Sequence, residues 1–253
     1  MSIKSLLVAT GSMILCALGL AAEATEVKVI AANPMKAVVQ QLGAQFERDT
    51  GYKLVTTFVS GPVVKREIDA GEKFDLAISA TPIIGELIKE GKIDAGNRAD
   101  VAYAGVGVGV RSGAPTPDIG SVEAFKRALL HAKSVAYSAE GPSGVYFKGM
   151  LDRLGIAEQM KPKLKPMSGD ALTKAVPSGE AEMIISATSD IIAGGTVLVG
   201  PLPPELQSYV RFAAGVGTNA KEAEAAKVLI KLLTAPAAVP IMNANGMEPG
   251  TPR

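Results

Sequence analysis

The sequence predicts an α/β protein built as two doubly wound lobes with mostly parallel sheets. Strand and helix signals alternate along nearly the whole chain, which is the pattern of parallel strands joined by crossover helices. A single kind of join, an apolar run ending in small polar residues with a Pro opening a helical pattern, occurs three times between Val27 and Pro82. Two Gly-bearing extended patterns, Tyr103–Val110 and Tyr209–Gly217, bracket the middle of the chain and read as crossings between lobes. The alternative architecture is one continuous sheet.

The N-terminus sets the compartment. Lys4 precedes an apolar stretch from Leu6 to Leu20, and Ala21-Ala22-Glu23-Ala24 follows. This is the layout of a signal peptide over residues 1–24, cleaved after Ala24, and it predicts export to the periplasm. The stretch is about 15 residues, short of the ~20 that a spanning helix needs. The lone cysteine, Cys16, lies inside it with Leu15 before it, where a lipid-modified cysteine wants a small neighbour, so Cys16 reads as apolar filler. A mature chain without thiols excludes disulfides, thiolate metal sites and cysteine nucleophiles.

The first strand is Val27–Ala32, with Asn33-Pro34 as cap and first helical turn. The helix that follows places Met35, Val38, Val39, Leu42 and Phe46 on one face and closes on Thr50-Gly51. The second strand, Leu54–Val59, runs into Ser60-Gly61-Pro62 and a helix that stops at Gly71. The third, Phe74–Ile78, runs into Ser79-Ala80-Thr81-Pro82 and a helix that stops at Gly91. Ser, Thr and Asn cap helices, Pro suits the first turn, and Gly terminates in the left-handed region. Helix N-termini at the ends of parallel strands present free N–H groups and suit a small anion.

A strand over Val101–Val110 and a Pro115-Thr116-Pro117 loop come next. The second block reads as helix Ser121–Leu130, strand Ser134–Tyr137, helix from Ser143, strand Lys163–Pro166, helix from Asp170 and strand Met183–Ser186. An Ala-rich helix over Ala220–Leu233 and a shorter one after Pro236 finish the chain. The organisation expected is lobe one over residues 25–104 and 211–253, with lobe two over 105–210 inserted between.

The bulk composition narrows the function classes. The chain has 253 residues, 47% of them apolar, with 4% aromatics and no Trp, which suits helix-on-sheet packing better than an aromatic cage. A net charge of +1 and no basic stripe argue against nucleic acid as a partner. There is one histidine, His131, at the end of a helical pattern, where a helix-end surface role fits. Without further His or Cys no metal site is expected, and triad catalysis has no support. The alternating Gly105–Gly109 run leads to no helix, so it is not a dinucleotide fingerprint, and no cofactor is expected.

The run VSGPVVKREIDAGEKFDLAISATP resembles the signature of periplasmic molybdate-binding proteins of ABC uptake systems, a family that includes similar aconitate isomerases. SGEAEMIISATSD and GPSGVYFKGMLDRLG resemble two further family segments. The resemblance implies a type II periplasmic binding protein fold, with two lobes and a two-strand hinge. It implies a small anion held between the lobes by hydroxyls and backbone N–H groups, and a membrane permease as partner. Carried over by position, the ligand-facing residues are Asn33, Ser60, Ser143, Gly169 and Ser186. Asn33 stands where the family has Ser, Ser186 where it has Tyr, and Lys36 where an acidic residue is common. A lost Tyr enlarges the pocket and a Lys adds a charge partner, which points to a carboxylate rather than a compact oxyanion.

Each site has a duller reading beside it. Ser60-Gly61 is the strongest ligand candidate, with Ser143-Gly144 as its counterpart in lobe two. Asn33, Thr81, Ser186 and Thr188 also serve simply as caps. Lys36 and Arg111 are candidate clamps, while Lys65 and Arg66 read as a solvated helix face. Among the tyrosines Tyr103, Tyr137 and Tyr146, the last is expected nearest the ligand. The leading function is a periplasmic solute-binding protein taking a small anion. The alternative is an isomerase on the same scaffold, interconverting cis- and trans-aconitate by proton transfer, with Glu140 as base and Lys36 and Arg111 holding carboxylates.

Overall fold

The structure is a computed structural model that describes residues 24–250. The expected signal peptide, with Cys16 inside it, therefore lies outside the described residues except for Ala24. The first half of the chain forms β1 (Glu26–Ala32), a 3-10 turn (Asn33–Met35), α1 (Lys36–Thr50), β2 (Lys53–Val59), α2 (Gly61–Asp69), β3 (Leu76–Ala80), α3 (Thr81–Lys89) and β4 (Ile93–Val110). The middle forms α4 (Val122–His131), β5 (Val135–Ser138), α5 (Pro142–Arg153), α6 (Ala157–Met160), β6 (Leu164–Met167), α7 (Gly169–Lys174), β7 (Met183–Ala187), α8 (Thr188–Ala193) and β8 (Val197–Pro201). The return forms β9 (Tyr209–Gly217), α9 (Ala223–Thr234), α10 (Val239–Ala244) and β10 (Glu248–Pro249).

The strand order is β2-β1-β3-β9-β4-β7-β5-β6, with β8 and β10 paired to β4. Strands β2, β1 and β3 are mutually parallel, as are β6, β5 and β7. The long strand β4 makes the junction. Its residues from Ile93 to Gly105 pair antiparallel with β9, and Val106–Val110 pair with β7 and β8. Hydrogen bonding is thus continuous through β4, while the cores are separate. One pair of apolar clusters sandwiches the half-sheet of β1, β3 and β9, and another pair sandwiches that of β5 and β7.

Period-two alternation produces the sandwich. In β3, Leu76 and Ile78 enter the cluster under α1 and α9, while Ala77 faces the one under α2 and α3. In β7, Met183 and Ile185 face the cluster holding Phe125 and Phe147, and Ile184 faces the opposite one. Both strands are buried along their whole length, which is why their sequences are continuous apolar runs. The glycines of β4 serve close packing: a Cβ on Gly109 would sit 2.6 Å from Ile191 and 2.8 Å from Ile184.

Several expectations are corrected. Strand β4 begins at Ile93, eight residues before the expected start, because a polar stretch with two register irregularities is carried by pairing with β9. Strands β8 and β10 were not expected; β8 contains Gly200-Pro201 and carries almost no alternation. The caps shift as well. Ala32, Ala80, Gly141 and Ala187 are the N-cap residues of their helices, so Asn33, Thr81 and Thr188 are first helical residues and Ser143 is the second. Ser60 does occupy the N-cap of α2. Among the described residues no single helix is long and apolar enough to cross a membrane.

Candidate functional site

A cleft of about 490 Å³ lies at the strand ends where the two half-sheets meet. One wall is formed by the 3-10 turn, α1 and the start of α2, contributing Asn33, Lys36, Gln40, Ser60 and Gly61. The other comes from the loop before α5, the start of α5, and from α7 and α8, contributing Glu140, Ser143, Gly169, Asp170, Lys174 and Asp190. Leu172, Val210 and Phe212 give it an apolar floor.

The sequence places these groups for simple reasons. Pro62 follows Gly61 at the start of α2, and Pro142 opens α5. Pro fits the first turn because its missing N–H has no acceptor there. The first N–H groups of each helix have no i−4 acceptor within it, although Gly144 N–H is taken up by Gly141 O in α5, and each helix turns the positive end of its dipole to the cleft. The Ser60 side chain makes no capping bond, which leaves its hydroxyl available. Gly169 has φ +56°, a left-handed conformation, and a Cβ added there would lie 3.7 Å from the Asn33 amide across the cleft. A side chain at this point would meet the facing wall.

Deeper in the same wall is a short hydroxyl–carboxyl chain. Ser186 Oγ donates to Asp190 Oδ2 at 2.7 Å and lies 3.5 Å from Ser143 Oγ. Ser143 and Ser186 are both buried. Burial pushes the Asp190 carboxyl up to about 6, against the smaller opposing effect of the Ser186 hydrogen bond. A carboxyl raised in this way favours the folded state while protonated, and that advantage is lost as pH rises through about 6. Asp190→Asn is therefore expected to melt at a higher temperature than the unsubstituted protein at about pH 8, with the gain disappearing by about pH 4. A gain that is the same at both pH values in parallel thermal melts would refute this.

The structure brings most of the sequence candidates together. Asn33, Lys36, Ser60, Gly61, Glu140, Ser143 and Gly169 all line the cleft. Ser186 sits behind it, fully buried, and reaches it through Asp190. The remaining candidates are elsewhere. Thr81 is held near Asp100, and Arg111 is exposed beside Gly179. Gly144 does not line the cleft; its N–H donates to Gly141 O, and it is there to let the backbone pass Ser138. Tyr146 donates to Leu206 O and packs against Arg153, Tyr137 is core, and Tyr103 bonds Glu248. Lys65 pairs with Asp69 and Glu90 at the surface. The Lys36 ammonium lies 5.9 Å from the centre of the Phe58 ring.

Asp190 was missed by the sequence reading. Its signal was present as Ser186-Ala187-Thr188-Ser189-Asp190, a Ser and an Asp four apart across a strand-to-helix join. Helical spacing alone does not say that such a pair turns toward a cleft.

Comparisons with known proteins agree with this architecture. The family model described as bacterial extracellular solute-binding protein matches residues 27–248. The molybdate-binding protein ModA of Azotobacter vinelandii is 31% identical over 97% of each chain. An aconitate isomerase from a Pseudomonas species is 25% identical over 89% of this chain and 88% of its own length. Among solved structures, the Azotobacter vinelandii periplasmic molybdate-binding protein superposes with a TM-score of 0.76 at 20% identity, covering 90% of this chain and 100% of that one. The chain belongs to the bacterial extracellular solute-binding proteins, within a ModA-like family that includes an aconitate isomerase.

Proposed function

We propose that this protein is a periplasmic solute-binding protein of an ABC-type uptake system, capturing a small anion, either oxyanion or carboxylate, between its lobes. The observation that carries the reading is the meeting of the α2 and α5 N-termini, with Ser60 and Ser143, across one cleft. Helix N-termini and hydroxyls substitute for the water around an anion without requiring a formal counter-charge. Export through residues 1–24 puts the protein beside a permease. Residues 25–104 with 211–253, and residues 105–210, move as two bodies about the segments near Gly105 and Tyr209. Ligand contact with both walls then shifts the population toward the closed form.

A thermal-shift screen over molybdate, tungstate, sulfate, phosphate and di- and tricarboxylates tests this directly. At least one anion is expected to stabilise the protein, and Ser60→Val to weaken that anion's binding about tenfold or more, since a buried anion loses a charge-assisted hydrogen bond. A screen without any stabilising anion refutes the reading.

One observation favours a second reading, the isomerase: Glu140 lines the same cleft as Lys36, so a base and a cation face one ligand space. Incubation with trans-aconitate, followed for the cis isomer, decides between them. Turnover replaces the transport reading, and its absence with retained binding supports it.

A further inference from the structure

A seat for anions has a carboxyl group in its wall. Asp190 lines the cleft, its Oδ2 is held by Ser186 at 2.7 Å, and the Ser186 hydroxyl stands 3.5 Å from that of Ser143. Ionised, this group would repel the ligand that the helix N-termini attract. Protonated, it becomes a hydrogen-bond donor in the wall of the same cleft. We propose that Asp190 is the specificity-determining group of the cleft, holding a proton in the ligand complex and donating it in a hydrogen bond to a carboxylate of a di- or tricarboxylic acid. This rests on the anion-binding reading above and narrows it to one class of ligand.

The rest of the cleft suits a carbon skeleton. Leu172, Val210 and Phe212 supply an apolar floor that a bare tetrahedral oxyanion would leave unused. The cleft, about 490 Å³ and open to solvent, admits a ligand with a carbon skeleton. Beyond Pro62 and Pro142 it continues into a second hollow lined by Ile83, Val145 and Tyr146. An acid–carboxylate pair also shares its proton between groups of similar basicity, which makes a short, strong hydrogen bond.

The surroundings leave Asp190 free to take the proton. Helix α8 packs against β4, β7, β8, α7 and the 3-10 turn. Strands β7 and β8, the 3-10 turn and the Val106–Val110 part of β4 contain no titratable side chain. On α7, Asp170 and Lys174 also line the cleft and pair with each other at 3.5 Å on its solvent side. Lys36 and Glu140 line the cleft from other elements. No cation pairs with Asp190 among the described residues, and burial holds its carboxyl near 6. At about pH 7 it is mostly ionised in the free protein. Binding then draws one proton from solvent onto Oδ1, the oxygen that Ser186 does not hold.

Calorimetric titration of the purified protein with succinate, tricarballylate and molybdate tests this, run at about pH 7 in two buffers of unequal ionisation enthalpy. The carboxylates are expected to bind with uptake of nearly one proton each, and their affinity to fall up to about tenfold per pH unit above pH 7. Asp190→Asn, whose amide donates at every pH, is expected to take up no proton. It should bind the carboxylates at least about tenfold tighter than the unsubstituted protein at about pH 8. A purely structural Asp190 would leave the proton count unchanged in the variant. Carboxylate binding without proton uptake, or weaker binding by Asp190→Asn at high pH, overturns the proposal, because an ionised Asp190 is then accepting from the ligand. Molybdate binding with neither carboxylate binding overturns the ligand class and leaves the anion-binding reading standing. If none of the three binds, the ligand class is overturned, and the wider thermal-shift screen decides whether the anion-binding reading falls with it.

Discussion

Gly144→Ala is expected to destabilise the protein by about 3 kcal/mol or more, at or above the top of the usual range for overpacking. A Cβ at this position would lie 1.7 Å from Ser138 O and 2.7 Å from its carbonyl carbon. Both obstacles are backbone, so no rotamer change relieves them. The turn between β5 and α5 would have to open by more than an ångström. That turn is already tied by Gly141 N–H donating to Ser138 Oγ and by Gly144 and Val145 donating to Gly141 O. The melting temperature should fall by about 6–12 °C. Ser143, the residue just before it, moves with the turn, so anion affinity should drop as well. A variant melting within about 2 °C of the parent would refute the argument.

Asp75→Ala should have an effect of similar size from a different cause. Asp75 is 4% exposed. Its Oδ2 accepts from Lys28 N–H at 2.8 Å, and its Oδ1 from Lys221 and Glu222 N–H at 2.7 and 3.0 Å. One carboxylate therefore joins the start of β1, the entry to β3 and the first turn before α9, three segments far apart in sequence. Removing it leaves three N–H groups without an acceptor in a region that water reaches poorly, for a loss on the order of 3 kcal/mol or more. Asp75→Asn should recover less than half of this, since its NH₂ would face one of the donors. Thermal melts of the two variants check the order. Equal stability of Asp75→Ala and the parent would show that solvent replaces the carboxylate.

The two predictions divide according to what the sequence shows. Ser143-Gly144 is visible as a small-residue pair at a strand-to-helix join, and Ser60-Gly61 at its counterpart. What separates Gly144 from Gly61 is the path of the Ser138 backbone, which only the fold supplies. In the same way, Asp75 reads as an interruption in the run Phe74–Ile78. Its three partners come from residues 28, 221 and 222, so local patterns carry no trace of them.

The sequence by itself determined the alternation of elements, the strand-to-helix joins and the small polar residues at them. These depend on short-range physics: continuous apolar runs in β3 and β7, helical spacing in α1, Pro in first turns and Gly at helix ends. They were legible because each is decided within a few residues. The tertiary structure alone decided which joins face each other. It gathered Asn33, Ser60, Glu140, Ser143 and Gly169 into one cleft, and left Thr81 and Arg111 outside it. It extended β4 through a polar stretch that only pairing with β9 holds as strand. It also turned Asp190 toward the cleft, held by Ser186 from the strand before it. Burial under segments distant in sequence raises that carboxyl, against the smaller opposing effect of its local bond to Ser186, and burial is not a property of the local sequence.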